Sequence, residues 1–143
     1  RERQGRNARG FDAMSGAMNG LRFTREHEWI SLESPNRGTA GITDYAQSQL
    51  GDIVFLELPT PGTRVEQFQK MGEIEAVKAV TDIFTPASGV ILETNQDAAN
   101  EPKIVNEDPY GAGWLVKLEL SYPSELDAMM DSQAYDEMVN VGG

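Results

Sequence analysis

Lysine is scarce in this chain: among 143 residues only Lys70, Lys78, Lys103 and Lys117 occur. Lys78 stands apart. Apolar residues flank it on both sides in Glu75-Ala76-Val77-Lys78-Ala79, with Glu73 and Asp82 further out. A primary amine held on a rigid β-hairpin presents a fixed nucleophile to a modifying enzyme, which a flexible loop does not. Gly89 follows in a Pro86-Ala87-Ser88-Gly89 turn, expected to sit symmetrically opposite the lysine if both arms fold back. The chain offers little other chemistry. With no cysteine, a disulfide framework, thiolate metal sites and cysteine catalysis are excluded. One histidine, His27, is too few for a histidine-based metal site or a catalytic triad.

The elements around the lysine read as short strands. Residues 71–77 and 80–85 are the two arms of its hairpin, rich in β-branched residues. Upstream, Trp29–Leu32 runs into a turn at residues 34–38, from which a second arm returns. Thr43 or Asp44 can cap a short helix through Gln49, with Gly51 ending it. Residues 53–58 form another strand, stopped by Pro59-Thr60-Pro61-Gly62. After the strand Val90–Thr94 comes a stretch expected to be a polar loop, Asn95 to Asn106. Residues 113–120 are the last strand. Ser124 with Asp127 three residues on has the pattern of a capping box, and a helix is expected over Ser132–Val139. Trp29 and Trp114 read as core aromatics. Turn signals every 8–12 residues predict a mainly β fold, a flattened barrel or sandwich with short peripheral and C-terminal helices.

The charge is uneven. Residues 1–20 carry four arginines against Glu2 and Asp12, and residues 21–143 hold 8 basic and 21 acidic side chains. Such a body repels phosphate backbones, so nucleic acid is not an expected partner, and it suits proteins with basic docking faces. No apolar run approaches the roughly 18 residues of a membrane span. Residues 1–20 are expected to be a flexible Arg-rich extension, a transit remnant or an added segment. A single domain is then expected over residues 21–143.

The Glu75–Ala79 motif with Pro86–Gly89 resembles the lipoyl-lysine hairpin of biotinyl/lipoyl domains. Biotin carriers place methionine on both sides of the lysine, and acyltransferase lipoyl domains have Asp-Lys-Ala; neither is present here. The pattern is similar to that of the glycine cleavage system H proteins, written Glu-Ser-Val-Lys-Ala. The resemblance extends to His27-Glu28-Trp29, residues 41–47, 50–59 and 105–115, and Ser124-Glu125-Leu126, covering about residues 21–141. Ala76 replaces the commoner serine, and Glu26 stands where a small polar residue or threonine is frequent. Neither departure touches Lys78, Glu75 or Gly89.

The resemblance implies that (R)-lipoate is joined by an amide to Lys78; Glu75, three residues before it on the same hairpin arm, is then expected to help a lipoate ligase or a lipoyl/octanoyl transferase read the site electrostatically. It implies a non-catalytic carrier that shuttles the aminomethyl group of glycine. The donor is a pyridoxal-phosphate (PLP) glycine decarboxylase and the acceptor a tetrahydrofolate-dependent aminomethyltransferase. A flavin (FAD) dihydrolipoamide dehydrogenase restores the disulfide with NAD. The alternative customer is another lipoate-dependent complex, with the chain as a lipoyl relay; from a different class, a β-sandwich binding module would tolerate Lys78→Arg. A monomer is expected, in a bacterial cytoplasm or a mitochondrial matrix. The loaded amine is cationic and prone to hydrolysis, so a water-excluding cleft with a carboxylate is expected, supplied by Glu28 or Asp82. His27 is expected to be structural.

Overall fold

The computed structural model describes residues 20–142. The Arg-rich extension therefore lies, but for Gly20, outside the described residues. Two sheets pack face to face. The larger is built from β1 (Leu21–Phe23), β2 (Glu28–Ser34), β3 (Arg37–Ile42), β5 (Arg64–Val65), β8 (Gly89–Thr94) and β9 (Val116–Leu120), in the order β1-β2-β3-β9-β8-β5. The smaller has β4 (Ile53–Glu57), β6 (Lys70–Ala76) and β7 (Val80–Phe84), in the order β4-β6-β7. All strand pairs are antiparallel, including β3–β9, β4–β6 and β5–β8, whose strands are not consecutive in the chain. The sheets form a flattened sandwich rather than a closed barrel.

The inner faces meet over Ile30, Leu56, Ile74, Ile83, Ile91 and Leu118, all nearly inaccessible to solvent. Each such side chain contributes roughly 1.5–3 kcal/mol by leaving water. On the other side of the larger sheet, Phe23 and Trp29 pack under Tyr135, which comes from the C-terminal helix α4 (Ser132–Gly142). Trp29 and Ile30 thus bury on opposite faces of β2, which explains its unbroken apolar start. Trp29 also donates from Nε1 to the Pro109 carbonyl at 3.1 Å. Trp114 is only half-buried, with the Lys117 ammonium 5.2 Å from its ring.

Helix α1 (Asp44–Leu50) starts where the sequence places it: Thr43 caps it by accepting from the Ala46 amide at 3.1 Å, and Gly51 ends it at φ 77°. Other expectations need correction. The stretch Asn95–Asn106 is not a loop but two short helices, α2 (Gln96–Asn100) and α3 (Lys103–Glu107). Asn95 accepts from the Ala98 amide, and Ala98 and Val105 bury. Asn and Asp favour caps as much as turns, and two buried residues leave no readable helical period. Residues 123–128 form a 3-10 turn with no side-chain cap, so Ser124 caps nothing. Glu125 of that turn instead accepts from the Ser88 amide and hydroxyl, both at 2.7 Å. No described helix is long and apolar enough to cross a membrane.

Candidate functional site

The β6–β7 hairpin positions Lys78. Ala76 donates its amide to the Ala79 carbonyl at 2.7 Å, so only Val77 and Lys78 lie between the arms. The tip is tied down from below, because the Val77 amide donates to the Asp52 carbonyl at 3.0 Å. That supporting segment is held in turn by Asn106 of α3, a residue the sequence gives no reason to single out. Its side chain accepts from the Ile53 amide at 3.0 Å and donates to the Gly51 carbonyl at 2.8 Å. Lys78 is exposed, and its stem passes Gly51: a Cβ added there would stand 3.5 Å from the lysine Cε. The amine is therefore presented on a braced two-residue tip.

Beside the hairpin lies a cleft of about 320 Å³ whose walls include His27, Glu28, Tyr45, Leu50, Thr81 and Asp82. Glu28 and Asp82, 54 positions apart in the chain, both line it, although the Asp82 carboxylate turns to Lys70 on the outer face of the sheet. Asp82 is four residues beyond Lys78, and at about 3.3 Å per residue in a strand that is about 13 Å. A lysine extended by an acyl chain of eight carbons reaches on the order of 14 Å. The cleft is within the length of such an arm.

The two carboxylates differ sharply. Glu28 is 3% exposed, accepting from Thr24 Oγ1 at 2.7 Å and from the Phe84 amide at 3.3 Å. Burial pushes its carboxyl up to about 7, against the opposing pull of those two donors. Among the described residues it has no ion-pair partner. The Asp82 carboxylate is exposed and sits 3.3 Å from Lys70 Nζ, which also donates to Glu73 at 2.8 Å. Of the two, Glu28 is the carboxyl with no cation already beside it among the described residues.

His27 lines the cleft in a left-handed conformation, φ 71°. Its Nδ1 lies 2.7 Å from Tyr135 Oη, which is also 2.8 Å from Thr43 Oγ1. Burial lowers its pKa and so favours the neutral ring, which braces α4 against the N-terminus of α1. Glu75 is exposed beside the tip, on β6 opposite Phe55 and Val80. Gly89 is elsewhere. The bend falls on Pro86 and Ala87, and Gly89 is the first residue of β8, paired with Val65 and Leu120 in the larger sheet. Its glycine is required by close approach, since an added Cβ would stand 2.0 Å from the Glu119 carbonyl oxygen.

An exposed lysine at the tip of a braced hairpin, with a cleft in reach, is the arrangement a carrier domain would need. The glycine cleavage H-protein family model matches residues 21–141. Relatives named glycine cleavage system H protein include those of Symbiobacterium thermophilum, 48% identical over 85% of this chain and 94% of that protein, and Chlorobium phaeovibrioides, 51% identical over 83% and 94%. The crystal structure of a glycine cleavage system H protein from Mycobacterium marinum superposes with a TM-score of 0.78 at 33% identity, covering 86% of this chain and 98% of that one. The chain belongs to the glycine cleavage H-protein family, the lipoyl carriers of the glycine cleavage system.

Proposed function

We propose that Lys78 holds (R)-lipoate in amide linkage. The chain then shuttles the aminomethyl group of glycine from the pyridoxal-phosphate glycine decarboxylase to the tetrahydrofolate-dependent aminomethyltransferase. Dihydrolipoamide dehydrogenase and a lipoate ligase or lipoyl/octanoyl transferase complete its partners. On this reading it acts as a monomer, in a bacterial cytoplasm or a mitochondrial matrix. The observation that carries the reading is the placement of exposed Lys78 about one arm's length from the cleft containing buried, cation-free Glu28. The residues fit the group: the stem is free to be acylated, and the tip will not sag when loaded.

The bound group would supply a disulfide whose sulfur can accept a one-carbon cargo. The chain's own residues do the rest. Lys78 sets the origin of the arm, and the Val77–Asp52 bond fixes its direction. Glu28 offers the cationic amine of the cargo a charge-assisted hydrogen bond, on the order of 1.5–3 kcal/mol. Poised near neutrality while the cleft is empty, Glu28 gives up its proton as the cation arrives, because an adjacent positive charge favours the carboxylate. Ile42, Leu50 and Ile74 line the same cleft and keep water from the cargo.

Intact mass is the test. After incubation with lipoate, ATP and purified lipoate ligase the protein should gain one lipoyl group, mapped to Lys78. Lys78→Arg should gain none. Addition at Lys70, Lys103 or Lys117, or no addition at all, would sink the reading.

A further inference from the structure

Eight large hydrophobic side chains are exposed among the described residues, and four of them lie on the Lys78 hairpin or on β4 beside it: Val54, Phe55, Val77 and Val80, at 55%, 51%, 71% and 62%. Single exposed hydrophobics need no explanation, whereas a contiguous set beside one reactive amine does. The set is built, not scattered. In a regular strand Val54 and Phe55 would point to opposite faces. Here the register slips between Ile53 and Phe55, so Ile53 and Leu56 bury while Val54 and Phe55 both face solvent. Phe55, Glu75 and Val80 then stand opposite one another across β4, β6 and β7, forming one transverse row on the outer face. Val77 extends that row to the tip. Acidic side chains border it: Asp52, Glu57, Glu73 and Asp82, with Glu75 in its middle.

We propose that this apolar row is the docking surface for the enzyme that acylates Lys78, and that the enzyme presents an apolar rim around its acyl site, with basic residues facing Glu75 and its acidic border. The inference rests on the carrier reading and deepens it. Distance selects this occupant. Enzymes that act on the sulfur work on the order of 14 Å from the lysine backbone and meet the end of an arm. The acylating enzyme alone must bring its carbonyl carbon to bonding distance of Nζ, so its surface falls on Val54, Phe55, Val77 and Val80. At that site the Nζ lone pair attacks the carbonyl of a lipoyl adenylate and an amide bond forms. The acyl–phosphate bond breaks, AMP leaves, and the amine proton passes to a base of the enzyme. Charge complementarity orients the encounter, since the chain carries a net charge of -11.

The experiment compares wild type, Phe55→Ser/Val80→Ser and Leu32→Ser, the last an equally exposed apolar residue on β2 of the other sheet. Two readouts are taken: the affinity of the unmodified protein for purified lipoate ligase, and the steady-state kinetics of lipoylation with lipoate and ATP. Truncating the central anchors of an interface costs about a factor of ten or more, so the double variant should bind at least tenfold more weakly and show a matching rise in KM. Its kcat should stay within twofold and its melting temperature should not move. Leu32→Ser should match wild type in all of them. Unchanged affinity and KM in the double variant overturn the proposal while leaving the carrier reading intact, because Lys78 is still acylated. An equal loss in Leu32→Ser overturns it as well. So does a wild-type dimer in sedimentation that the double variant dissociates, which would give the row to a second copy. If wild type is never acylated at Lys78, both readings fall together.

Discussion

The two sheets treat their outer faces in opposite ways. The larger is covered on both sides: Ile30 and Leu118 face the smaller sheet, while Trp29 and Phe23 lie beneath Tyr135 of α4. The smaller is covered on one side only, and its outer face carries Val54, Phe55, Glu75, Val80 and Asp82 into solvent. One region holds and the other presents. On the proposed reading both are needed, because a lysine visited by several enzymes would have to be open to them and yet not wander. The larger sheet supplies the rigidity through packing, and the smaller inherits it through its inner face and the Val77–Asp52 tie.

A matched pair of glycines gives the hardest test of that division. An added Cβ would reach to 2.0 Å from the Glu119 oxygen at Gly89 and to 2.2 Å from the Glu57 oxygen at Gly72. The clashes are alike, but the surroundings are not. Glu119 is paired on both sides, to Arg37 and Val90, in the middle of the larger sheet. Glu57 is the last residue of edge strand β4 and can withdraw into the following loop. Gly89→Ala should cost about 3–5 kcal/mol, measured by urea unfolding, and Gly72→Ala clearly less. Equal costs would mean that the smaller sheet is as rigid as the larger.

Glu28 joins the two regions, bonding from β2 to the Phe84 amide of β7. Its folded pKa of about 7 lies above the ordinary glutamate value of 4.5. The folded state therefore binds the extra proton between those values, and this group's contribution to stability falls as pH rises through that window. Glu28→Gln removes the buried charge, so it should gain on wild type by about 1–3 kcal/mol between pH 4 and pH 8. A pH-independent difference would mean that Glu28 is not the buried acid described here. The same variant sharpens the functional contrast with Asp82. Loaded with its cargo, Glu28→Gln should release formaldehyde roughly tenfold faster than wild type. Asp82→Asn should change release little, since its carboxylate is already engaged by Lys70.

What was legible in the sequence follows the range of the interactions. The hairpin around Lys78 and the Thr43–Gly51 helix rest on neighbours a few residues apart, and turn and cap chemistry reveals them. Glu28 and Asp82 were legible as types of residue, but their inequality was not. It depends on Thr24, Phe84 and Lys70, which only the tertiary fold brings near. Gly89 reads in the sequence as a turn residue, whereas its glycine is required because β9 passes too close for a side chain. The slip at Val54 that builds the apolar row leaves no local mark, because Ile-Val-Phe-Leu reads as any buried strand.

The smallest effect concerns the clamp on the holding side. Tyr135 stacks on Phe23 at 4.7 Å, and its hydroxyl joins His27 to Thr43. Tyr135→Phe keeps the stacked ring and removes only that oxygen. Thr43 still accepts from the Ala46 amide, so the chief loss is the partner of His27 Nδ1. The cost should be about 1 kcal/mol, read as a fall of roughly 3–4 °C in melting temperature. The measurement belongs above pH 7. The folded pKa of His27 is lowered below 6.5, so its contribution is complete above the unfolded value and is lost as pH falls. Phe55→Ser, a far larger deletion on the presenting side, should leave the melting temperature unchanged. If removing one oxygen from the clamp costs no more than removing that whole ring, the two regions do not divide the work of holding and presenting.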